Sequence, residues 1–229
     1  MSAESWNLSA PPGFQGLQDD KPVTRYIRHL PHWRRDGATY FVTFRQADSL
    51  PQSRLRELRE IKEEWQRKHP PPRSQADWES LARQTMQRSE QWLDGGMGSC
   101  LLKDRRTVEQ VVASMHHFDD KRYELDCHVV MPNHVHLIVR PLIPAVHPLE
   151  KILQSWKTFS SREINALLGL EGTLWQEESF DRIIRDEEHL YRAIQYIASN
   201  PAKAGRSPSE CGLWLRPAWQ ELGWKFDKL

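Results

Sequence analysis

The sequence predicts an α+β fold: one antiparallel sheet with helices on one face, plus a helical insertion. Three observations predict it. Segments 38–45, 122–130 and 134–140 are rich in β-branched and aromatic residues and read as strands. Apolar residues recur at helical spacing in 104–118 and again in 148–168. The long stretch 52–98 fits neither pattern; it is charged and helix-friendly, and is fenced by Pro51 on one side and by Gly95, Gly96 and Gly98 on the other.

Residues 1–24 mix Ser, Pro, Gly and Asp without periodicity and read as a loose tail. Ala38–Arg45 is the first strand, ended by Ser49-Leu50-Pro51. Within the insertion, helices are expected at 53–68 and 75–93, split by His69-Pro70-Pro71-Pro72. The next helix places Val108, Val111, Val112 and Met115 on one side. Arg122–Val130 and His134–Arg140 are strands joined by the turn Met131-Pro132-Asn133. Leu149, Ile152, Leu153, Trp156 and Phe159 mark one face of the following helix, which Gly169 and Gly172 interrupt. A short strand follows at Phe180–Arg185. Asp186 then caps a helix with Glu187 and Glu188 in its first turn, running to about Ser199 before Pro201 stops it. With the insertion set aside, the order is strand, helix, strand, strand, helix, strand: the ferredoxin-like split βαβ pattern. Residues 25–205 are expected to form this domain, and 206–229, with Trp214, Trp219 and Trp224, a Trp-rich extension.

A chain of 229 residues is about one and a half typical domains, enough for a sizeable core without disulfide or metal staples. Charged residues make up 28% and mean hydropathy is -0.72, and no apolar run approaches the roughly eighteen residues of a membrane helix. The N-terminus shows no basic region followed by an apolar core, so no export signal is expected. Cys100, Cys127 and Cys211 are odd in number and far apart, which points to reduced thiols in a cytoplasm. The net charge of +1 would argue against nucleic acid if charge were evenly spread. It is not: residues 21–46 carry six Lys or Arg against one Asp, and 171–200 carry three basic against seven acidic residues. Most of the ten tryptophans are expected in the core, with some free to stack on bases.

Two constellations carry chemistry. In His134-Val135-His136, a strand turns both imidazoles to one side, close enough to share a metal, with Val135 on the other. Among ten histidines, such a tripeptide also arises by chance. The second is Tyr196-Ile197-Ala198-Ser199-Asn200-Pro201, where Tyr196 and Asn200 share a helix face. A helical Tyr commonly serves as a core residue with a wet hydroxyl, and Asn before Pro is at home at a helix end. Cys127 has opposite parity to His134 and His136 if the strands are regular, and is expected to pack rather than bind metal.

Met131-Pro132-Asn133-His134-Val135-His136-Leu137 resembles the HUH motif of single-tyrosine transposases. Phe180-Asp181-Arg182-Ile183-Ile184-Arg185, followed by Tyr196 to Gly205, resembles the "YIxxNPVKAG" segment of REP-associated tyrosine transposases, with Ala202 where Val is commoner. Lys157 to Asn165 resembles their connecting helix. The resemblance spans about Tyr26 to Gly205 without the insertion. It places the HUH motif on a central strand, with Tyr196 as nucleophile and His134, His136 and Asn200 as ligands of Mg²⁺ or Mn²⁺. On ligand preference Mn²⁺ suits two imidazoles and an amide better. The implied reaction is cleavage and rejoining of single-stranded DNA flanked by a hairpin, through a 5′-phosphotyrosine and a free 3′-hydroxyl, without a nucleoside triphosphate.

Arg25, Arg28, Arg34 and Arg35, with His29, His32 and Trp33 interleaved, are candidates to hold phosphates and stack a base. Lys157 and Arg162 are further candidates from the connecting helix; each of these cations is equally well read as solvated surface charge. Two alternatives remain at this point: a domesticated hairpin-nucleic-acid-binding protein that no longer cuts, and a metal-dependent phosphodiesterase that uses water. The sequence leaves open whether the protein is a monomer or a homodimer, and so which chain's histidines Tyr196 serves.

Overall fold

The alternation of the strand segments becomes a five-stranded antiparallel sheet in a computed structural model that describes residues 8–17, 22–27 and 31–227. In chain order the elements are β1 (Thr24–Ile27), β2 (Pro31–Arg34), β3 (Tyr40–Arg45), α1 (Gln52–Lys68), α2 (Gln75–Asp94), α3 (Arg105–His116), β4 (Tyr123–Val130), β5 (His134–Pro141), α4 (Leu149–Leu168), β6 (Phe180–Ile183), α5 (Glu187–Lys203), β7 (Trp214–Leu215) and α6 (Pro217–Gln220). Sheet order is β6-β3-β5-β4-β7, which puts β5 in the centre; β1 and β2 pair separately as a two-stranded ribbon.

Strand parity sorts the core. Val135, Leu137 and Val139 of β5 are buried with Val108, Val111 and Met115 of α3 and with Ile152, Leu153 and Trp156 of α4. Both helices therefore cover one face, as expected. Ile138 turns the other way, into a second cluster with Phe41, Cys127 and the apolar stripe Leu190, Ala193, Ile194 and Ile197 of α5. His134 and His136 share the parity of Ile138, so they face α5. Among the described residues, no helix is long and apolar enough to cross a membrane.

Three expectations change. Helix α5 passes through Pro201 to Lys203 rather than ending near Ser199. Proline removes a single ladder bond here, its ring is buried, and the Ala204 N–H reaches back to the carbonyls of Asn200 and Pro201 at 3.3 and 3.1 Å. Cys127 stands opposite Ile138 across β4 and β5, and directly opposed residues share a face; it therefore lies on the histidine side. It is fully buried among apolar neighbours and packs, so the role stands while the parity argument does not. The C-terminal segment adds a strand: β7 pairs with β4 through Cys127↔Leu215 and His128↔Trp214. Trp219 and Trp224 are buried in the α5-side cluster.

The insertion is a helical hairpin. Ser74 caps α2 with a reciprocal bond to Asp77, a capping box. Arg88 of α2 pairs with Glu57 of α1, and Trp92 and Leu93 pack with Leu50, which ties the pair to the end of β3. Met86 reaches the α5-side cluster, so the hairpin sits over the face that carries the histidines.

The β1–β2 ribbon is fastened to β6 by buried charge. His32 bridges Asp181 at 2.6 Å and Glu178 at 2.9 Å, and Arg34 joins Asp181 at 2.5 Å to Glu150 at 2.6 Å. Burial alone would lower the His32 pKa, but its bonds to the two carboxylates outweigh it and raise it from 6.5 to about 9. A folded-state pKa above the unfolded value stabilises fully below about pH 6.5, and that stabilisation is lost as pH rises through 9. Its ceiling is about 3 kcal/mol. Thermal melts from pH 6 to 10 should show wild type losing stability across that window and His32→Gln nearly flat. Parallel profiles would remove His32 from the account.

Candidate active site

The hydrogen-bond partner of His134 fixes where its lone pair points. The two Nε2 atoms lie 3.0 Å apart, on neighbouring same-face positions of β5. His134 Nδ1 is 2.7 Å from Asn133 Oδ1; an amide oxygen only accepts, so the proton sits on Nδ1 and Nε2 presents a lone pair. His136 Nδ1 lies 2.7 Å from the Thr43 hydroxyl, directly across the sheet on β3. A hydroxyl can donate or accept. When Thr43 donates, His136 carries its proton on Nε2 and bridges to His134. When Thr43 accepts, both Nε2 lone pairs converge, an arrangement that requires a cation between them.

Both imidazoles are kept neutral. Burial, with Lys203 nearby, lowers the His134 pKa to about 3. Burial first, then His134, Lys203 and Arg182, pushes His136 well below its ordinary value. Neutral imidazole is the ligating form.

Helix α5 brings the other two residues. The Tyr196 ring meets His136 edge-on at 5.2 Å between centroids and Phe41 at 5.9 Å. Asn200 donates from Nδ2 to the Tyr196 carbonyl at 2.6 Å. Its Oδ1 is buried without a hydrogen-bond partner among the described residues. A buried, unpartnered amide oxygen is costly unless something positive meets it. Among the described residues no group of three His, Cys, Asp or Glu could hold a metal ion. Two neutral imidazole nitrogens and an amide oxygen are donor types that would suit a small divalent cation.

The phenol is held protonated. Burial raises the Tyr196 pKa above its ordinary value, the carboxylates of Glu90 and Asp94 add to this, and Arg182 opposes it. The Tyr196 hydroxyl faces the Glu90 carboxylate, and that contact helps to keep the proton on the phenol. Lys203 Nζ sits 4.4 Å from the ring centroid. Glu90 and Asp94 both belong to α2, so the insertion reaches the site. Neither they nor Thr43 carry a local signature in the sequence, whereas Arg182 falls within the 180–185 segment of the resemblance; the sheet register and the packing of α2 bring the others in.

The predicted phosphate-binding residues divide. Arg28 and the Arg25 side chain lie outside the described residues, as does His29. Arg35 is 5% exposed and donates to the Gly16 carbonyl, which corrects its reading as a surface cation: the guanidinium is turned inward to hold the N-terminal segment. Arg34, Lys157 and Arg162 do share one groove of about 860 Å³ between α4, β2 and the 172–181 loop. Arg34 is engaged in the buried ion network. Lys157 donates to the carbonyls of Gln176 and Glu177 at 2.9 Å each, and burial lowers its pKa to about 8. Arg162 is 72% exposed at its side chain, beside Glu163. Gln176 and Glu178 line both this groove and a second cavity of about 380 Å³ beneath the insertion, whose wall includes Thr43 and Glu90. Gln176 and Glu178 thus form a common wall between the groove and that cavity.

No known protein-family profile and no curated protein sequence matches the chain. Among solved structures, a REP-associated tyrosine transposase bound to a REP hairpin is similar over 80% of this chain and 76% of its own. Identity is 16% and the TM-score 0.36, a superposition too loose to bear on any residue.

Proposed function

We propose that the protein is a metal-dependent single-stranded DNA transesterase that cuts and rejoins strands beside a hairpin, with Tyr196 as nucleophile. One observation carries this reading: a phenol packed edge-on against a pair of neutral imidazoles whose Nε2 atoms stand 3.0 Å apart, on a helix that also offers the unpartnered Asn200 oxygen. The hairpin-flanked substrate comes from the motif resemblance of residues 131–137 and 180–205.

His134, His136 and Asn200 would hold a divalent cation, Mn²⁺ or Mg²⁺, which when bound would supply charge neutralisation at the scissile phosphate. The chain's own residues do the rest. Tyr196 Oη forms a bond to phosphorus as the bond to the upstream 3′-oxygen breaks. The phenolic proton ends on that oxygen, leaving a 3′-hydroxyl and a 5′-phosphotyrosine, and the reverse step rejoins the strand. Bond energy is conserved, so no nucleotide cofactor is needed. Before substrate arrives, burial and the Glu90 and Asp94 carboxylates keep the phenol protonated and unreactive.

The α4 groove supplies contact outside the chemistry. Arg162→Ala should lower the slope of log affinity against log salt for hairpin DNA by about one, with little change in cleavage once DNA is saturating. An unchanged slope would take Arg162 out of the DNA path. The function itself is tested by incubating the protein with Mn²⁺ and single-stranded hairpin DNA and looking for a covalent protein–DNA adduct. Tight binding without an adduct favours the non-cutting hairpin binder.

A further inference from the structure

The turn that closes the insertion reaches the metal-facing histidine through one amide. Asn133 has no exposed surface, and its Nδ2 donates to the carbonyls of Met97 at 2.9 Å and Leu93 at 3.4 Å. Leu93 lies in the last turn of α2 and Met97 in the turn that leaves it. With the amide hydrogens directed to the insertion, only Oδ1 remains for His134 Nδ1, at 2.7 Å. We propose that the 52–98 insertion is a positioning element of the active site: the Leu93 and Met97 carbonyls, acting through Asn133, hold His134 in the tautomer whose Nε2 lone pair faces His136. This deepens the metal-site reading and rests on it.

The physical reason is the two-sidedness of a primary amide. Its oxygen and nitrogen differ little in shape, so an unrestrained Asn133 could present Nδ2 to His134 instead. His134 would then accept at Nδ1, carry its proton on Nε2, and offer a donor where a ligand is needed. Two carbonyls on the other side of the amide disfavour that orientation. The turn that supplies one of them is itself pinned. The Ser99 N–H donates to Asp48 Oδ2 at 2.7 Å, and Cys100 Sγ reaches the Gly96 carbonyl at 3.1 Å. Gly98 adopts φ +85° against Asp48, where an added Cβ would fall 2.7 Å from the Asp48 carbonyl oxygen. Partners behind a ligating histidine typically govern metal affinity by about 10–100-fold.

Two readouts independent of cleavage test this: imidazole ¹⁵N NMR of the metal-free protein for the tautomer, and calorimetric titration with Mn²⁺. Wild type should show His134 protonated on Nδ1. Asn133→Leu should shift protonation toward Nε2 and weaken Mn²⁺ binding by about 10–100-fold. Asn133→Asp keeps an acceptor for Nδ1–H but loses both donors. It should retain the tautomer and Mn²⁺ binding while amide exchange quickens across 93–99. Gly98→Ala, which displaces the turn, should reproduce part of the Asn133→Leu loss, and it carries the test with Asn133→Asp if Asn133→Leu does not fold. Unchanged tautomer and Mn²⁺ affinity in folded Asn133→Leu or Gly98→Ala overturn the inference. Wild type that binds Mn²⁺ and forms the DNA adduct, alongside such unchanged variants, isolates the failure here. Wild type that holds the Nδ1–H tautomer but binds no Mn²⁺ defeats the metal-site reading instead.

Discussion

Tyr196→Phe is expected to eliminate the covalent protein–DNA adduct and to lower strand cleavage on the order of 10³-fold or more, while leaving DNA binding and folding intact. The structure makes this substitution unusually informative. Phenylalanine keeps the ring contacts with His136 and Phe41, so the packing of α5 on the sheet is preserved. The hydroxyl it removes faces the Glu90 carboxylate, and losing one such polar contact costs about 1 kcal/mol. The melting temperature should therefore shift by only a few degrees. Loss of the adduct at little-changed stability assigns the hydroxyl to chemistry; continued cleavage by the Phe variant assigns attack to water.

His136→Ala is expected to weaken Mn²⁺ binding at least about 100-fold and to abolish metal-dependent cleavage, with a stability cost of about 2 kcal/mol. His136 is fully buried between Thr43, His134, Phe41 and Tyr196. Its removal leaves a cavity, a Thr43 hydroxyl without its imidazole, and one ligand of the converging pair. Calorimetry with Mn²⁺ checks the affinity and circular dichroism the fold. A folded His136→Ala that binds Mn²⁺ like wild type would place the cation elsewhere. Asn200→Ala is the milder counterpart, since it removes a buried oxygen that has no protein partner among the described residues.

Much of this site was legible because its chemistry is concentrated in two short segments. Strand parity alone turns His134 and His136 to one side, and a helical spacing of four puts Tyr196 and Asn200 on one face. What sequence could not supply was the contribution of distant segments. Thr43 reaches His136 through sheet register, and Glu90 reaches Tyr196 through a helix hairpin that reads locally as an ornament. Asn133 was legible as a turn residue but not as the link between that hairpin and His134. Arg35 shows the opposite error: a charge beside other charges reads as surface, yet burial depends on the Gly16 segment folding over it. Pro201 was overread as a stop, because one lost ladder bond near a helix end is cheap when the ring is buried. The terminal tryptophans read as an extension, whereas β7 and the α5-side core take them in.

The near-zero net charge of +1 also resolves locally. His32, Arg34 and Lys157 are neutralised or tied inside a groove that carries Glu150, Glu177, Glu178 and Asp181 on its walls. With Arg162 the exposed cation of that groove, any DNA held there is expected to bind modestly and with a shallow salt dependence.

The most direct measurement of the central claim is denaturing gel analysis of 5′- and 3′-labelled single-stranded hairpin DNA incubated with Mn²⁺ and either wild type or Tyr196→Phe. Wild type is expected to retain the 3′ label as a protein adduct on the 5′ end of the downstream fragment and to release the 5′-labelled upstream fragment with a 3′-hydroxyl. The Phe variant, equally folded, gives neither. Cleavage without any adduct, or an adduct that persists in Tyr196→Phe, would contradict it.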